Sequence, residues 1–436
     1  MSYPVVMKSK LHHFFIYFFA VLIPPFIFGT LFSFQTLMNL LYYNRSEPLQ
    51  QVITPLPTPK ALNSNKLNAA ILLSNQATQT SEALLAFYEL KSKSNLNVFT
   101  VAPIREPVPT TQPVSILPDY SFENAPKINV LILPSVTNFT EPKITTWVNK
   151  NISNAQLIIT LGEGIRLLPQ SFLNNKTVTS HFLSQQDLQE KLPDTIIDTK
   201  NQWIKDGKLL SSSGVFSTQQ TIQKALQILK QSKFSQSSTE INPLQLEQEF
   251  KIKEFFYLFL HAGFDWFPNS MGVYLYNGVS EGHVATLIDS FPRSIHHRVV
   301  TFAEKRNYIT TENGMTLIPA VSYEKTPKLD TLIIPSGKSS ITPDPDFKEH
   351  AQEVVSFYNS LSSPNLTYNT MNFLAQKLGS PGTELVAKLT NFNQKIDIPS
   401  LPIAFSLFLR PLFLSLLGVI GVRFFTMRAR KRKNQH

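Results

Sequence analysis

Residues 98–135 recur at 299–336. Thr100, Ala102, Pro118, Ser121, Pro126, Lys127, Leu131, Pro134 and Ser135 reappear 201 positions later as Thr301, Ala303, Pro319, Ser322, Pro327, Lys328, Leu332, Pro335 and Ser336. Similarity at a fixed spacing this long means that one supersecondary architecture is used twice, and it decides the fold before any local pattern does. The second copy stops sooner than the first, so the copies are expected to have diverged in role. A chain of 436 residues has room for two such units and for anchors at its ends.

The net charge of +10 hints at nucleic acid until its location is considered. Residues 1–43 hold only Lys8 and Lys10, with no acid, and the last stretch holds Arg428, Arg430, Lys431, Arg432 and Lys433. Setting these aside with Arg410 and Arg423 leaves 31 of the 40 bases against 30 acids. A nucleic-acid surface needs a basic face on the folded domains, so no nucleic-acid partner is expected. His13–Ser33 is an uncharged, mostly apolar run of about 21 residues, long enough at about 1.5 Å per residue to cross a bilayer. No small-residue cleavage site follows it, so it reads as an uncleaved anchor in which Pro24 and Pro25 introduce a kink. Leu401–Phe425 is the second such run, and the bases after it mark a stop-transfer segment. The expected topology is a two-pass plasma-membrane protein with both termini cytoplasmic and residues 44–400 outside. The lipid bilayer is thus its first expected partner. Arg410 falls inside the second run, where it either snorkels to the headgroups or contacts a membrane partner.

The chain has no cysteine, which excludes disulfides, thiolate metal sites and thiol nucleophiles and suits a bacterial cell-surface protein. Five N-x-S/T triplets, at Asn44, Asn138, Asn151, Asn175 and Asn365, fit the frequency of Asn and Ser. No metal site is expected, because His12-His13 and His296-His297 lack the i, i+4 spacing of helical ligand pairs. There is no phosphate-binding loop, and no cofactor is expected.

Residues 44–66, with Pro48, Pro55, Pro57 and Pro59, read as a stalk. Domain one, 67–230, alternates apolar runs (69–73, 98–102, 130–133, 157–161) with helical ones (82–90, 143–150), the signature of a parallel sheet covered on both faces. Residues 231–270 form a polar linker followed by an aromatic cluster, Phe255–Leu260 with Phe264, Trp266 and Phe267. The cluster is expected to pack between domains, with a position on the membrane surface as the alternative. Domain two, 271–398, restarts at 272–276, continues through 298–303 and 331–335, and adds a helix near 347–361. It shows no counterpart of 157–164. The second helix (399–427) and a basic tail (428–436) follow.

In such a sheet, ligands bind beyond the carboxyl ends of the strands. The turn after Leu157–Leu161 reads Gly162-Glu163-Gly164 and runs into a helix through Ile165 and Leu168, like an elbow that presents a nucleophile. Here the chain resembles the ThiJ/PfpI superfamily, of the class I glutamine amidotransferase-like, flavodoxin-like fold, over 67–230 and more weakly over 271–390. Residues 128–134 and 329–337 are similar to the family's strand leading into a Pro-Gly-Gly turn, with Ser135 and Ser336 replacing the first glycine. Residues 172–182, ending in His181-Phe182, resemble its segment ending in Thr-Thr-His-Trp, and 204–214 resemble its Asp-Gly turn strand.

The resemblance implies a cysteine nucleophile on the elbow, where this chain has Gly162. No catalytic residue is assigned. The candidate ligand pocket is Gly162, Glu163, Gly164 and His181, with Glu163 either binding a ligand or capping the helix, and His181 either shuttling protons or retained for structure. Ser211–Ser213 offer hydroxyls but no identifiable His/Asp partners. The expected fold is therefore two parallel-sheet α/β domains, the second truncated, between two transmembrane helices. The expected function is that of a catalytically inactive, membrane-anchored protein that senses a small ligand or binds a membrane or extracytoplasmic protein. The alternatives are an enzyme using Glu163 and His181, or an accessory subunit of a membrane complex.

Overall fold

A computed structural model describes residues 3–41, 56–59, 61–230, 240–243, 249–265, 268–305, 308–338, 349, 351–357, 365–400 and 406–433. Asn44, Pro48, Pro55, Trp266, Phe267, the start of the second apolar run at 401–405 and most of the linker lie outside these residues, as do the side chains of His12 and His13.

Helix α1 (Tyr3–Leu41) precedes β1 (Asn68–Leu72), α2 (Thr80–Lys93), β2 (Asn97–Ala102), β3 (Val108–Pro109), β4 (Val114–Leu117), β5 (Tyr120–Ser121) and β6 (Val130–Leu133). Next come α3 (Pro142–Ile152), β7 (Leu157–Thr160), a 3-10 helix (Gly162–Leu167), α4 (Gln170–Leu173) and β8 (Thr177–Val178). They are followed by α5 (Gln185–Lys191), β9 (Ile196–Ile197), β10 (Asn201–Asp206), β11 (Leu209–Ser212), α6 (Ser217–Lys230) and β12 (Glu240–Pro243). After α7 (Ile252–Phe264) the chain forms β13 (Asn269–Tyr274), α8 (Glu281–Arg293), β14 (His297–Ala303), β15 (Ile309–Thr310), β16 (Thr316–Pro319) and β17 (Val321–Ser322). It closes with β18 (Leu329–Ile334), β19 (Ala351–Ser356), α9 (Leu366–Leu389) and α10 (Ser406–Lys433). Two compact units result: Met1–Leu40 with Phe250–Pro268 and Ser400–His436, and Leu41–Glu249 with Asn269–Pro399.

In the larger unit the main sheet runs β12-β10-β11-β7-β6-β1-β2-β5. Strands β5, β2, β1, β6, β7 and β11 pair in parallel, and their buried Ala, Val, Ile and Leu runs are those of a sheet covered on both faces. Strand β10 turns back antiparallel to β11 through Gly207, whose φ of +63° suits the tight Asp206-Gly207 hairpin. The second sheet runs β17-β14-β13-β18-β19, parallel at every pairing, in the same relative order as β5-β2-β1-β6-β7.

Three local expectations are corrected. Within the helix expected near 347–361, Ala351–Ser356 is a strand in which Val354 and Val355 join the ladder beside β18, since β-branched residues favour a pleated surface; residues 347, 348, 350 and 358–361 lie outside the described residues. This strand holds the place beside β18 that β7 holds beside β6, so the run 157–161 does have a strand counterpart. Part of the expected linker is β12, which pairs with β10. The helix expected after Gly162 is a short 3-10 turn that ends at Leu168, extended before Pro169, as the residue before a proline prefers.

The two α/β domains join along a local two-fold. Strands β4 and β16 pair antiparallel, with Leu117, Ile116, Ser115 and Val114 opposite Thr316, Leu317, Ile318 and Pro319. Leu317 is the residue 201 positions after Ile116, so equivalent residues face each other at the centre, as in an isologous dimer interface. Helices α2 and α8 begin 201 positions apart, at Thr80 and Glu281, and pack together. On one side Ser81 Oγ donates to Asp289 Oδ2 (2.8 Å). On the other, where 201 positions separate Ser81 from Gly282 and Tyr88 from Asp289, a Cβ on Gly282 would sit 2.7 Å from the Tyr88 ring.

In the smaller unit, Phe14–Thr36 of α1 and Leu407–Ala429 of α10 are each 23 residues long and apolar enough to cross a membrane. Helix α1 continues through Pro24 and Pro25. Small residues let the two helices touch: a Cβ on Gly418 would lie 2.1 Å from the Ala20 carbonyl oxygen, and Ser415 Oγ donates to the Val21 carbonyl (2.7 Å). Helix α7, expected to pack between domains, belongs to this unit, and the Arg410 guanidinium donates to the Phe264 carbonyl at its end.

Candidate functional site

Parallel strands β1, β6, β7 and β11 end side by side, and the residues just beyond them converge. Glu82 comes from the first turn of α2, Ser135 follows β6, Gly162 follows β7, and Gly214-Val215 follow β11. Gly162 has φ +50° and Gly214 φ +82°, the region that glycine enters without penalty. Both glycines also admit a close approach. A Cβ on Gly162 would lie 2.3 Å from Glu82 Oε1 and 2.7 Å from Ser135 Oγ, and one on Gly214 would lie 2.4 Å from the same Glu82 oxygen. The Glu82 carboxyl thus fills the space into which a side chain at the elbow would project.

Its hydrogen bonds fix Glu82 there. The Ser135 amide donates to Oε2 (2.7 Å) and the Val215 amide to Oε1 (3.2 Å). Ser135 Oγ in turn donates to the Leu161 carbonyl (3.2 Å) and accepts from the Glu163 amide (2.7 Å). Burial pushes the Glu82 carboxyl up to about 7, against the opposing pull of the Ser135 and Val215 bonds and with a smaller upward push from Asp289. A buried carboxyl holds its proton because its charged form has lost water.

The residues expected from sequence are only partly brought together. Gly162 is the elbow, and Ser180 Oγ donates to its carbonyl (2.9 Å). Gly164 is a packing residue, since a Cβ there would meet the Leu133 carbonyl oxygen at 1.9 Å. Glu163 accepts from Arg166 Nε (3.0 Å), and Arg166 also reaches Asp187 (2.7 Å). Burial raises the Glu163 pKa, and Arg166 opposes the rise. His181 points elsewhere: its Nε2 lies 3.2 Å from the Leu389 carbonyl at the end of α9, which also accepts from Arg293 (3.2 Å). Burial, with help from the Arg293 charge, lowers His181 to about 4, so the ring is neutral and satisfies a helix-end carbonyl. Ser211–Ser213 are spent on structure. Ser211 Oγ accepts from the Thr179 amide (3.0 Å), Ser212 Oγ from the Gly214 amide (3.2 Å), and Ser213 Oγ pairs with Ser217 (2.9 Å).

The second domain repeats the frame with other chemistry. His283 stands 201 positions after Glu82, and Ser336 the same distance after Ser135. The Ser336 amide donates to His283 Nδ1 (3.1 Å), and Ser336 Oγ lies 2.8 Å from the same nitrogen. Burial lowers His283 to about 3. Its Nε2 has no hydrogen-bond partner among the described residues, and the ring meets Phe357 edge to face at 4.7 Å between centroids. Neither Glu82 nor His283 was singled out from sequence. Glu82 looks like an ordinary first-turn acid that complements the helix dipole. The 201-residue spacing was the signal that links the two.

Residues 68–230 match the model of the DJ-1/PfpI family. Solved structures similar to the chain include a ThiJ/PfpI family protein from Pseudomonas syringae (17% identity, 37% of this chain and 68% of that one, TM-score 0.34). Others are Drosophila melanogaster DJ-1beta (19%, 37% and 88%, TM-score 0.33) and Schizosaccharomyces pombe DJ-1 (16%, 38% and 93%, TM-score 0.32). No curated protein matches. On the family match, the first α/β domain of this chain is a DJ-1/PfpI domain.

Proposed function

We propose that this is a membrane-anchored, catalytically inactive DJ-1/PfpI-like protein. Its duplicated α/β domains, held outside the cytoplasm, sense a small ligand or bind a protein. One observation carries the loss of catalysis: the Glu82 carboxyl lies where a side chain at position 162 would go, and the elbow bears glycine. Covalent catalysis needs a nucleophile in reach of a base, and at the elbow the chain supplies none. The acid–base alternative is weakened because Glu163 is paired with Arg166 and His181 with the Leu389 carbonyl. Duplication is supported by the shared strand order and by the two-fold register of β4 with β16. Anchoring is supported by the length of the two apolar helices and by the bases that flank them, which also favour cytoplasmic termini.

The test is turnover by the full chain in detergent or nanodiscs with ester, amide and methylglyoxal substrates. The expected rate equals that of buffer. Turnover that falls with Glu82→Gln or Glu163→Gln would contradict the proposal. A thermal-shift screen of metabolites on the same preparation would find a sensed ligand, because binding to the native state raises its melting temperature.

A further inference from the structure

Helix α7 has an apolar stripe that is exposed over its first turns. Ile252 is 89% exposed, Phe255 51% and Phe256 47%, and Phe259, next on the i, i+3, i+4, i+7 row, packs on α1. The other side is buried, through Tyr257, Leu258, Leu260 and Phe264, and its polar groups are partnered: Glu254 Oε2 accepts from the Lys251 amide (2.8 Å), and His261 Nδ1 lies 3.4 Å from Asp265 Oδ2. Lys251 and Lys253 are exposed at the helix start.

The helix is fixed to both apolar helices at one end of their antiparallel pair. A Cβ on Gly29 of α1 would lie 2.4 Å from the Phe259 ring, and one on Gly263 would lie 2.8 Å from Gly29 Cα. The Phe264 and Phe28 rings stack at 6.1 Å, and Arg410 of α10 holds the Phe264 carbonyl. Gly29 is seven residues short of the end of the span at Thr36. At about 1.5 Å per residue this puts the contact about 10 Å inside that end. An amphipathic helix lying in a membrane interface buries its apolar face about 5–10 Å into the headgroup and acyl boundary, so the depth fits.

Resting on the membrane-anchored reading above, we infer that α7 is an interfacial helix. It lies in the leaflet at the outer end of the spans, with Ile252, Phe255 and Phe256 among the acyl chains, Phe259 against α1, and Lys251 and Lys253 at headgroup phosphates. The occupant of the exposed stripe is the bilayer itself, because the stripe continues the lipid-facing surface of the two helices to which α7 is bound. Arg410 then has a defined task. It caps the carbonyl end of α7, where a cation is favoured by the helix dipole, and couples the interfacial helix to the second span.

The absence of cysteine makes the test clean. Single-cysteine variants of the full chain (Phe256→Cys, Ile252→Cys, Phe26→Cys and Asn154→Cys) are labelled with an environment-sensitive fluorophore and reconstituted in vesicles of phosphatidylcholine and phosphatidylglycerol. Phe26 is exposed and lies near the middle of the Phe14–Thr36 span. Quenching is read with iodide, with lipid spin-labelled at acyl carbon 5 and with lipid labelled at carbon 12. The inference expects labels at 256 and 252 to be quenched most by the carbon-5 lipid, the label at 26 most by the carbon-12 lipid, and the label at 154 by iodide alone. Iodide quenching at 256 and 252 equal to that at 154, with 26 still quenched by lipid, overturns the inference and leaves the anchoring intact. Shielding of 256 and 252 from iodide and lipid alike means a protein covers the stripe and overturns it too. Loss of lipid quenching at 26 as well would overturn the anchoring itself.

Discussion

In the first domain the amide that follows β6 donates to a carboxyl, Glu82; in the second the equivalent amide after β18 donates to an imidazole, His283. The frame is the same, with a residue from the first helix reaching the end of the neighbouring strand, but one residue is an acid and the other a base. Burial moves them in opposite directions, Glu82 up to about 7 and His283 down to about 3. Both shifts favour the uncharged form, because a charge taken out of water without a counter-ion is expensive. The architecture therefore asks only for a polar acceptor at this point, and the two domains meet the demand differently. The same asymmetry marks the α2–α8 contact, where Ser81 meets Asp289 on one side and Gly282 meets Tyr88 on the other.

The largest expected effect tests the join between the domains. Asp289 is fully buried and accepts from Ser81, Gln79, Gln112 and Arg293. Asp289→Ala leaves the Arg293 cation buried without its counter-ion and is expected to cost about 3–5 kcal/mol of unfolding free energy. Tyr88→Phe, at the equivalent place, should be milder. Equal losses in chemical denaturation would remove the asymmetry.

The two anchors give opposite pH dependence. Glu82 binds its proton more tightly folded than unfolded, so stability falls as pH rises from about 4.5 to about 7, and the loss is complete above that. Glu82→Gln is expected to flatten that limb of the melting-temperature profile, with an offset at every pH because its NH2 cannot accept one of the two amide hydrogen bonds. His283 is depressed when folded, so its contribution is present above about 6.5 and is lost as pH falls toward 3. His283→Gln should improve stability on the acid side only. Matching profiles for the two variants would break the comparison.

Next in size is Gly162→Ala. A positive φ costs a non-glycine residue about 1–2 kcal/mol, and the clash with Glu82 adds to it, for an expected total of about 2–3 kcal/mol. In a double-mutant cycle, Glu82→Gly should return the clash portion and leave the backbone portion. The smallest effect belongs to Glu163→Gln, which breaks a half-buried ion pair with Arg166 and is expected to cost less than about 1 kcal/mol.

Much of this frame is legible in the residues themselves. Continuous apolar runs such as 130–133 and 157–160 mark buried parallel strands, and Gly162-Glu163-Gly164 marks a tight turn. The rest depends on contacts that no local pattern encodes. Residues 347–361 carry enough Glu, Lys and Gln to look helical, yet pairing with β18 makes 351–356 a strand, a case of tertiary context overriding propensity. His181 was placed near the elbow by resemblance, but its partner is a carbonyl 208 residues away at the end of α9. Glu82 was missed because an acid at a helix start has a sufficient local explanation, and only the glycines that press against it from β7 and β11 reveal its place.

The central claim is that the elbow of the first domain carries no nucleophile and that the Glu82 carboxyl occupies the space a side chain there would enter. In a chain without cysteine, Gly162→Cys supplies a single thiol whose alkylation can be followed at neutral pH, with the urea-unfolded chain as reference. The account predicts a native-state rate far below that of the unfolded chain, rising when Glu82→Gly is added. A Gly162→Cys thiol that reacts in the native state as fast as in urea, in a chain as stable as the parent, would contradict it.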